Sequence, residues 1–184
     1  MLNWEEIFKE DFERIGQKIN EHEIRSSMHP GQYTVLNSPK EKVVENAVKD
    51  LDYHVRLLEA LKQDQKSKII LHIGGVYGNK EDAIERFEES YQSLDQKIKD
   101  RLIIENDDSS YTIEEVLAIG KRNNIPVVYD NLHHALLPGD SEKGDAYILQ
   151  KQERLGKRRT GSKKFTIPKR PTTTKMANIQ KRLI

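Results

Sequence analysis

Four residues of metal-ligand type recur along the chain at the spacing of a repeated structural unit: His29, His72, Glu105 and Asp130. The steps between them are 43, 33 and 25 residues, close to the roughly 30 residues of one strand–helix unit. Two imidazoles and two carboxylates form a common donor set for Mn²⁺, Zn²⁺ or Fe²⁺. The segment after Asp130 adds His133 and His134, and the 184-residue chain has no cysteine, which excludes thiolate sites and disulfides. Taken singly, each residue has an ordinary reading, since a histidine near a strand end is usually structural and Asp or Asn there usually forms a turn. Four ligand types at four successive strand ends shift the balance toward a metal centre. His22 and His54 fall within helical patterns and read as surface residues.

The elements that must position these residues follow from periodicity. Asn3 is a candidate N-cap for a helix over residues 4–21, whose apolar face is Ile7, Phe8, Phe12, Ile15 and Ile19. A strand over 24–28 runs into His29-Pro30-Gly31, a helix spans 43–61, and the apolar strand 68–73 ends in Gly74-Gly75. Then come a helix over 80–97, a strand over 101–104 ending in Glu105, a helix over 113–122 and a strand over 126–129 ending in Asp130. Helices alternating with strands apolar enough to be buried on both faces predict a parallel α/β sheet. In such folds function collects where strands end and loops begin. Two loops there bear on ligand binding. Gln32 and Tyr33 offer an amide and an aromatic ring suited to stacking on or wedging between bases, and Gly74-Gly75-Val76-Tyr77-Gly78 permits close backbone approach without the ending of a nucleotide-binding loop.

Charge is unevenly distributed. Of 31 Lys and Arg, 12 fall in residues 151–184 against the single acid Glu153, so a formal net charge of +1 conceals a basic tail and an acidic body. Beyond Gly139 the apolar periodicity stops, and residues 141–184 are expected to be a disordered basic segment, with the folded domain confined to 1–140. A basic arm of this kind binds phosphate without sequence preference. No apolar run approaches the ~18 residues that span a bilayer, and the first residues lack a signal peptide's pattern, so a cytoplasmic protein with no membrane association is expected.

The motifs Ser27-Met28-His29-Pro30-Gly31-Gln32-Tyr33, Leu71-His72-Ile73-Gly74-Gly75-Val76-Tyr77-Gly78, Ile104-Glu105-Asn106-Asp107-Asp108 and Asp130-Asn131-Leu132-His133-His134 together resemble the UV-damage DNA endonuclease family over residues 4–139. A more distant likeness is to apurinic-site nucleases of the endonuclease IV type. The resemblance implies a TIM-type (β/α)8 barrel, of which this chain supplies about four central units. It implies a cluster of divalent ions, usually manganese, that cuts double-stranded DNA on the 5′ side of a UV photoproduct. His29, His72 and Glu105 would hold one ion, Glu105 would bridge to a second shared with Asp130, and His133 would belong to a third. Glu105 and His72 would be the catalytic residues, and Gln32 and Tyr33 would probe the damaged base pair. Clustered ions suit this chemistry, because they generate hydroxide near neutral pH and stabilise an in-line phosphoryl transition state.

The family's later ligands, a Lys-x-His strand and a late Glu, do not appear after Asp140. One alternative reading frame of a back-translated 154–169 contains Lys-Ile-His, so a frameshift between about Pro138 and Arg154 is expected. Four units of a closed barrel leave two strand edges open, so a monomer of low stability and weak catalysis is expected. The competing expectations are an apurinic-site nuclease or sugar isomerase on the related barrel, and a non-catalytic DNA-binding fragment that uses the basic tail.

Overall fold

The computed structural model describes residues 3–139, so the expectations for the tail and the frameshift lie outside the described residues. Four parallel strands form one sheet in sequence order: β1 (Ser27–Met28), β2 (Lys68–His72), β3 (Leu102–Glu105) and β4 (Val127–Val128). Among the described residues, seven helices connect or flank them: α1 (Trp4–Ile7), α2 (Lys9–Glu21), α3 (Glu41–Ala60), α4 (Lys80–Ser93), α5 (Gln96–Lys99), α6 (Ile113–Asn123) and α7 (Asn131–Leu136).

Strand parity separates core from site. Ile69 and Leu71 of β2, Leu102 and Ile104 of β3 and Val127 of β4 join Leu51, Val55 and Leu58 of α3, Phe87 and Tyr91 of α4, and Val116 and Ile119 of α6 in one buried apolar cluster. Alternation sends the other parity, Ile70, His72, Ile103, Glu105 and Val128, to the opposite face. Ile103, Glu105 and Val128 are buried there too, as expected of strands covered on both sides.

The boundaries differ from the sequence reading for local reasons. The helix expected over 4–21 breaks at Phe8, and Asn3 occupies the N-cap position without a side-chain capping bond. The segment 80–97 divides because Leu94 turns extended and buries its side chain, after which the Asp95 carboxylate caps α5 at Lys97. β1 keeps only two residues, and Ile24, expected within it, is 56% exposed. His54 is half-buried rather than a surface residue, with Nδ1 2.7 Å from the Asp50 carbonyl. The pattern of α2 is amphipathic, but Ile7, Phe8 and Ile15 remain exposed, and the helix buries Gly16 against the Leu61 carbonyl of the α3 C-terminus.

Side-chain bonds fix the remaining joints. Thr112 and Glu115 form a reciprocal capping box at the start of α6, and Asn124 closes that helix in the left-handed region at φ 56°. Buried Arg101 donates to the carbonyls of Gln63, Asp64 and Ser67, which ties the α3–β2 turn to the root of β3.

Gly120 is where α6 meets β4, since an added Cβ would lie 2.6 Å from Val127 Cγ2 and 2.8 Å from the Ile125 carbonyl. Alanine favours helix by about 1 kcal/mol over glycine, whereas overpacking a tight contact costs about 1–3 kcal/mol. The clash is expected to win, so Gly120→Ala should lower the urea midpoint by the equivalent of about 1 kcal/mol; an equal or higher midpoint would show that the α6–β4 contact yields freely.

Candidate metal centre

His72 and Glu105 are register partners in the parallel β2–β3 pair, so both side chains leave the same face at the same level. His29 follows the end of β1, next along the sheet. The three donors lie within 4.8 Å of one another. Glu105 Oε2 is 3.1 Å from His29 Nε2 and 3.6 Å from His72 Nε2, and the two imidazole centroids are 5.3 Å apart.

Protonation follows from the neighbours. His29 Nε2 faces the Glu105 carboxylate and Nδ1 lies 3.3 Å from the Pro30 carbonyl. Carbonyls only accept, so both ring nitrogens favour carrying hydrogen. The pKa of His29 is accordingly raised, first by the bond to Glu105, and Asp130 adds a smaller pull in the same direction. His72 is pushed the other way because burial disfavours its charged form. Its Nδ1 is buried with no hydrogen-bond partner. A neutral imidazole, an exchangeable one and a buried carboxylate converging on one point fit a divalent cation.

The other expected ligands adjoin this triad in different ways. Asp130 Oδ1 accepts from the backbone N–H groups of Leu132 and His133, so this carboxylate caps α7, a helix that the sequence pattern does not announce. The capping turn swings His133 inward, to a centroid distance of 5.3 Å from His72. His133 Nδ1 is 2.9 Å from the Asn106 carbonyl, which holds the hydrogen on Nδ1 and leaves the Nε2 lone pair available. His134 stands edge-on to Tyr129 with a centroid distance of 5.4 Å. Gln32 and Tyr33 are both exposed, Tyr33 to 82%, and line a groove of about 970 Å³ together with His29, His72, His133 and Asp108.

Asn106 has a structural role that sequence reasoning missed. Fully buried, it donates through Nδ2 to the Asp130 carbonyl at 3.0 Å and accepts through Oδ1 from the Asp130 N–H at 2.9 Å. The amide thus extends the β3–β4 pairing one step beyond the last strand residue. Its signal was an Asn directly after a candidate ligand, on the opposite parity from it. Asp107, also buried, accepts from the N–H groups of Ser109 and Tyr111 and closes the turn that follows.

The sequence model described as UV-endonuclease UvdE matches residues 1–174. The chain belongs to this family. The match runs past residue 139, where the motif resemblance ended. A UV DNA damage endonuclease of Clostridium perfringens (strain 13 / Type A) is 50% identical over 133 residues, which are 72% of this chain and 32% of that protein. A UV-damage endonuclease of Schizosaccharomyces pombe is 37% identical over 148 residues, 78% of this chain and 25% of its own length. The solved structure of SacUVDE superposes with a TM-score of 0.79 at 37% identity, covering 84% of this chain and 52% of that one. The chain thus spans about a quarter to a half of the relatives it matches. Endonuclease IV from Thermus thermophilus, at 17% identity and TM-score 0.55, shares the fold, covering 82% of this chain and 55% of that one. The family match and these superpositions make the described sheet and its helices a partial TIM-type barrel of the α/β class.

Two expectations follow. Asn106→Ala removes both bonds to the Asp130 backbone, and loss of such supporting bonds typically costs 10- to 100-fold in metal affinity; Mn²⁺ binding by titration calorimetry should weaken by about tenfold, and unchanged affinity would remove Asn106 from the centre's support. In the ion-free protein His29 is stabilised as imidazolium, so its contribution to stability is full below the ordinary value of 6.5 and is lost as pH rises through its raised pKa. An ion must displace that proton, so Mn²⁺ affinity should fall about tenfold per pH unit once pH drops below the raised His29 pKa. His29→Ala should flatten that slope; an identical slope in the variant would assign the proton elsewhere.

Proposed function

We propose that this site is the metal centre of a DNA repair endonuclease that hydrolyses the phosphodiester backbone of double-stranded DNA on the 5′ side of UV photoproducts. The convergence of His29 Nε2 and His72 Nε2 on Glu105 Oε2, at the ligand-type strand ends of a UvdE-family chain, carries this reading. The relatives named as UV DNA damage endonucleases support it by likeness of sequence.

The division of work follows from position. His29, His72 and Glu105 would hold one divalent ion, with Mn²⁺ as the leading candidate and Zn²⁺ compatible with the same donors. Asp130 and His133 would serve neighbouring ions. When bound, such ions supply a hydroxide nucleophile at neutral pH and stabilise charge on the transferring phosphoryl group. Glu105, buried and shared between two imidazoles, fixes the geometry of the set. His72 stays neutral and ready to ligate because burial lowers its pKa. His29 exchanges a proton for an ion. Exposed Gln32 and Tyr33 project from the loop that begins at His29, so an amide and a ring that probe a base pair would sit beside the cutting centre.

Incision of a UV-irradiated, end-labelled duplex decides the matter. A nick 5′ to the photoproduct is expected with Mn²⁺, none in EDTA, and at least about a 100-fold loss in Glu105→Gln, where the ligand's charge is removed at constant shape. Cutting confined to abasic duplex would point to an apurinic-site nuclease instead. Salt-sensitive binding with no metal-dependent incision would reduce the chain to a DNA-binding fragment.

A further inference from the structure

The loop after β2 contains a tyrosine whose placement the metal chemistry does not use. Tyr77 has a left-handed backbone at φ 51°, a conformation that L side chains other than Asn and Asp adopt at a cost and glycine adopts freely. Its ring is not buried in compensation, being 46% exposed. A glycine would make this turn more easily, as Gly74 at φ 113° and Gly78 at φ 86° do on either side.

The ring is nevertheless held in place. It lies against Gly75, where a Cβ would be 3.3 Å from Tyr77 Cζ and 3.4 Å from Cε2, so the lack of a side chain at Gly75 admits the ring. The Gly75 carbonyl is fixed by Asn37 Nδ2 at 2.7 Å and by the Tyr111 hydroxyl at 3.3 Å. Asn37 is fully buried, and its backbone carbonyl accepts from Arg86 Nε at 2.9 Å. The Arg86 guanidinium lies 5.8 Å from the Tyr77 ring centroid. The result is a partly exposed aromatic platform, tied to the end of the strand that ends in His72. It lines the same groove as His29, His72 and the exposed Tyr33.

We propose that Tyr77 is a DNA-binding residue that stacks on a nucleobase of the substrate, a second aromatic contact beside Tyr33 in the groove next to the metal centre. This rests on the endonuclease reading and adds a contact to it. A rigid, partly exposed ring contributes stacking at little entropic cost, and base–aromatic contacts of this kind change affinity by about 5- to 100-fold when removed.

The test measures binding of a fluorescein-labelled, UV-irradiated duplex in EDTA by anisotropy, alongside Mn²⁺ affinity without DNA. Tyr77→Gly suits the left-handed backbone and removes the whole side chain, and Tyr77→Phe keeps the stacking face. Expected are about a tenfold loss of DNA affinity in Tyr77→Gly, wild-type affinity in Tyr77→Phe, and wild-type Mn²⁺ affinity in both. DNA binding by the wild type with equal binding by Tyr77→Gly overturns this proposal alone. A parallel fall in Mn²⁺ affinity in Tyr77→Gly also overturns it, since the ring would then serve only to brace the loop. Absence of binding by the wild-type chain overturns the endonuclease reading, and this proposal with it.

Discussion

The hydrogen-bonded register of β2 against β3 is the constraint on which the site rests. Pairing His72 with Glu105 places a carboxylate beside an imidazole at a level set by backbone geometry. A shift of one residue would turn one of the two side chains into the helix-facing core. The register is protected from both ends of β3. At its root, Arg101 buries its guanidinium among three carbonyls of the α3–β2 turn, and past its tip Asn106 continues the ladder to Asp130 with an amide that mimics a peptide group. Burying Arg101 carries a desolvation cost, visible in a pKa pushed down by burial. The three carbonyl contacts offset it by satisfying donors that would otherwise be orphaned.

The same logic governs the loops. Asp130 uses one carboxylate oxygen to cap α7, and that turn delivers His133 to the side of His72. Asn37 holds the loop after β2 through a carbonyl it shares with Tyr111, whose hydroxyl is raised to about 12 by burial and so stays protonated as a donor throughout the physiological range. The loop after β2 is therefore set by a buried amide from the preceding unit, and the turn after β4 by the carboxylate of its own first residue.

The parallel strands and the placing of His29, His72 and Glu105 at strand ends were legible in the sequence. Each is dictated by short-range pattern, apolar runs ending in a ligand type at the scale of one unit. The helix break at Leu94, the shortness of β1 and the helix after Asp130 were not. Leu94 leaves the helix to bury its side chain, Ile24 lacks a neighbouring strand to cover it among the described residues, and α7 depends on a capping bond that Asp130 makes only once the strand has placed it. These outcomes depend on tertiary neighbours, which periodicity does not encode. Asn106 escaped notice for a related reason, because its amide matters through a partner 24 residues away.

The two-residue length of β1 decides which donor faces water. His72 and Glu105 sit on strands paired over four residues and are largely shielded, whereas the His29 side chain is 49% exposed and rooted beyond a pairing of only two. A cation held by all three would have two donors on firmly paired backbone and a third, more exposed one whose ring is kept in place by the Glu105 carboxylate and the Pro30 carbonyl. Solvent would therefore reach such an ion from the His29 side, through the donor that hydrogen bonds rather than long strand pairing hold in position.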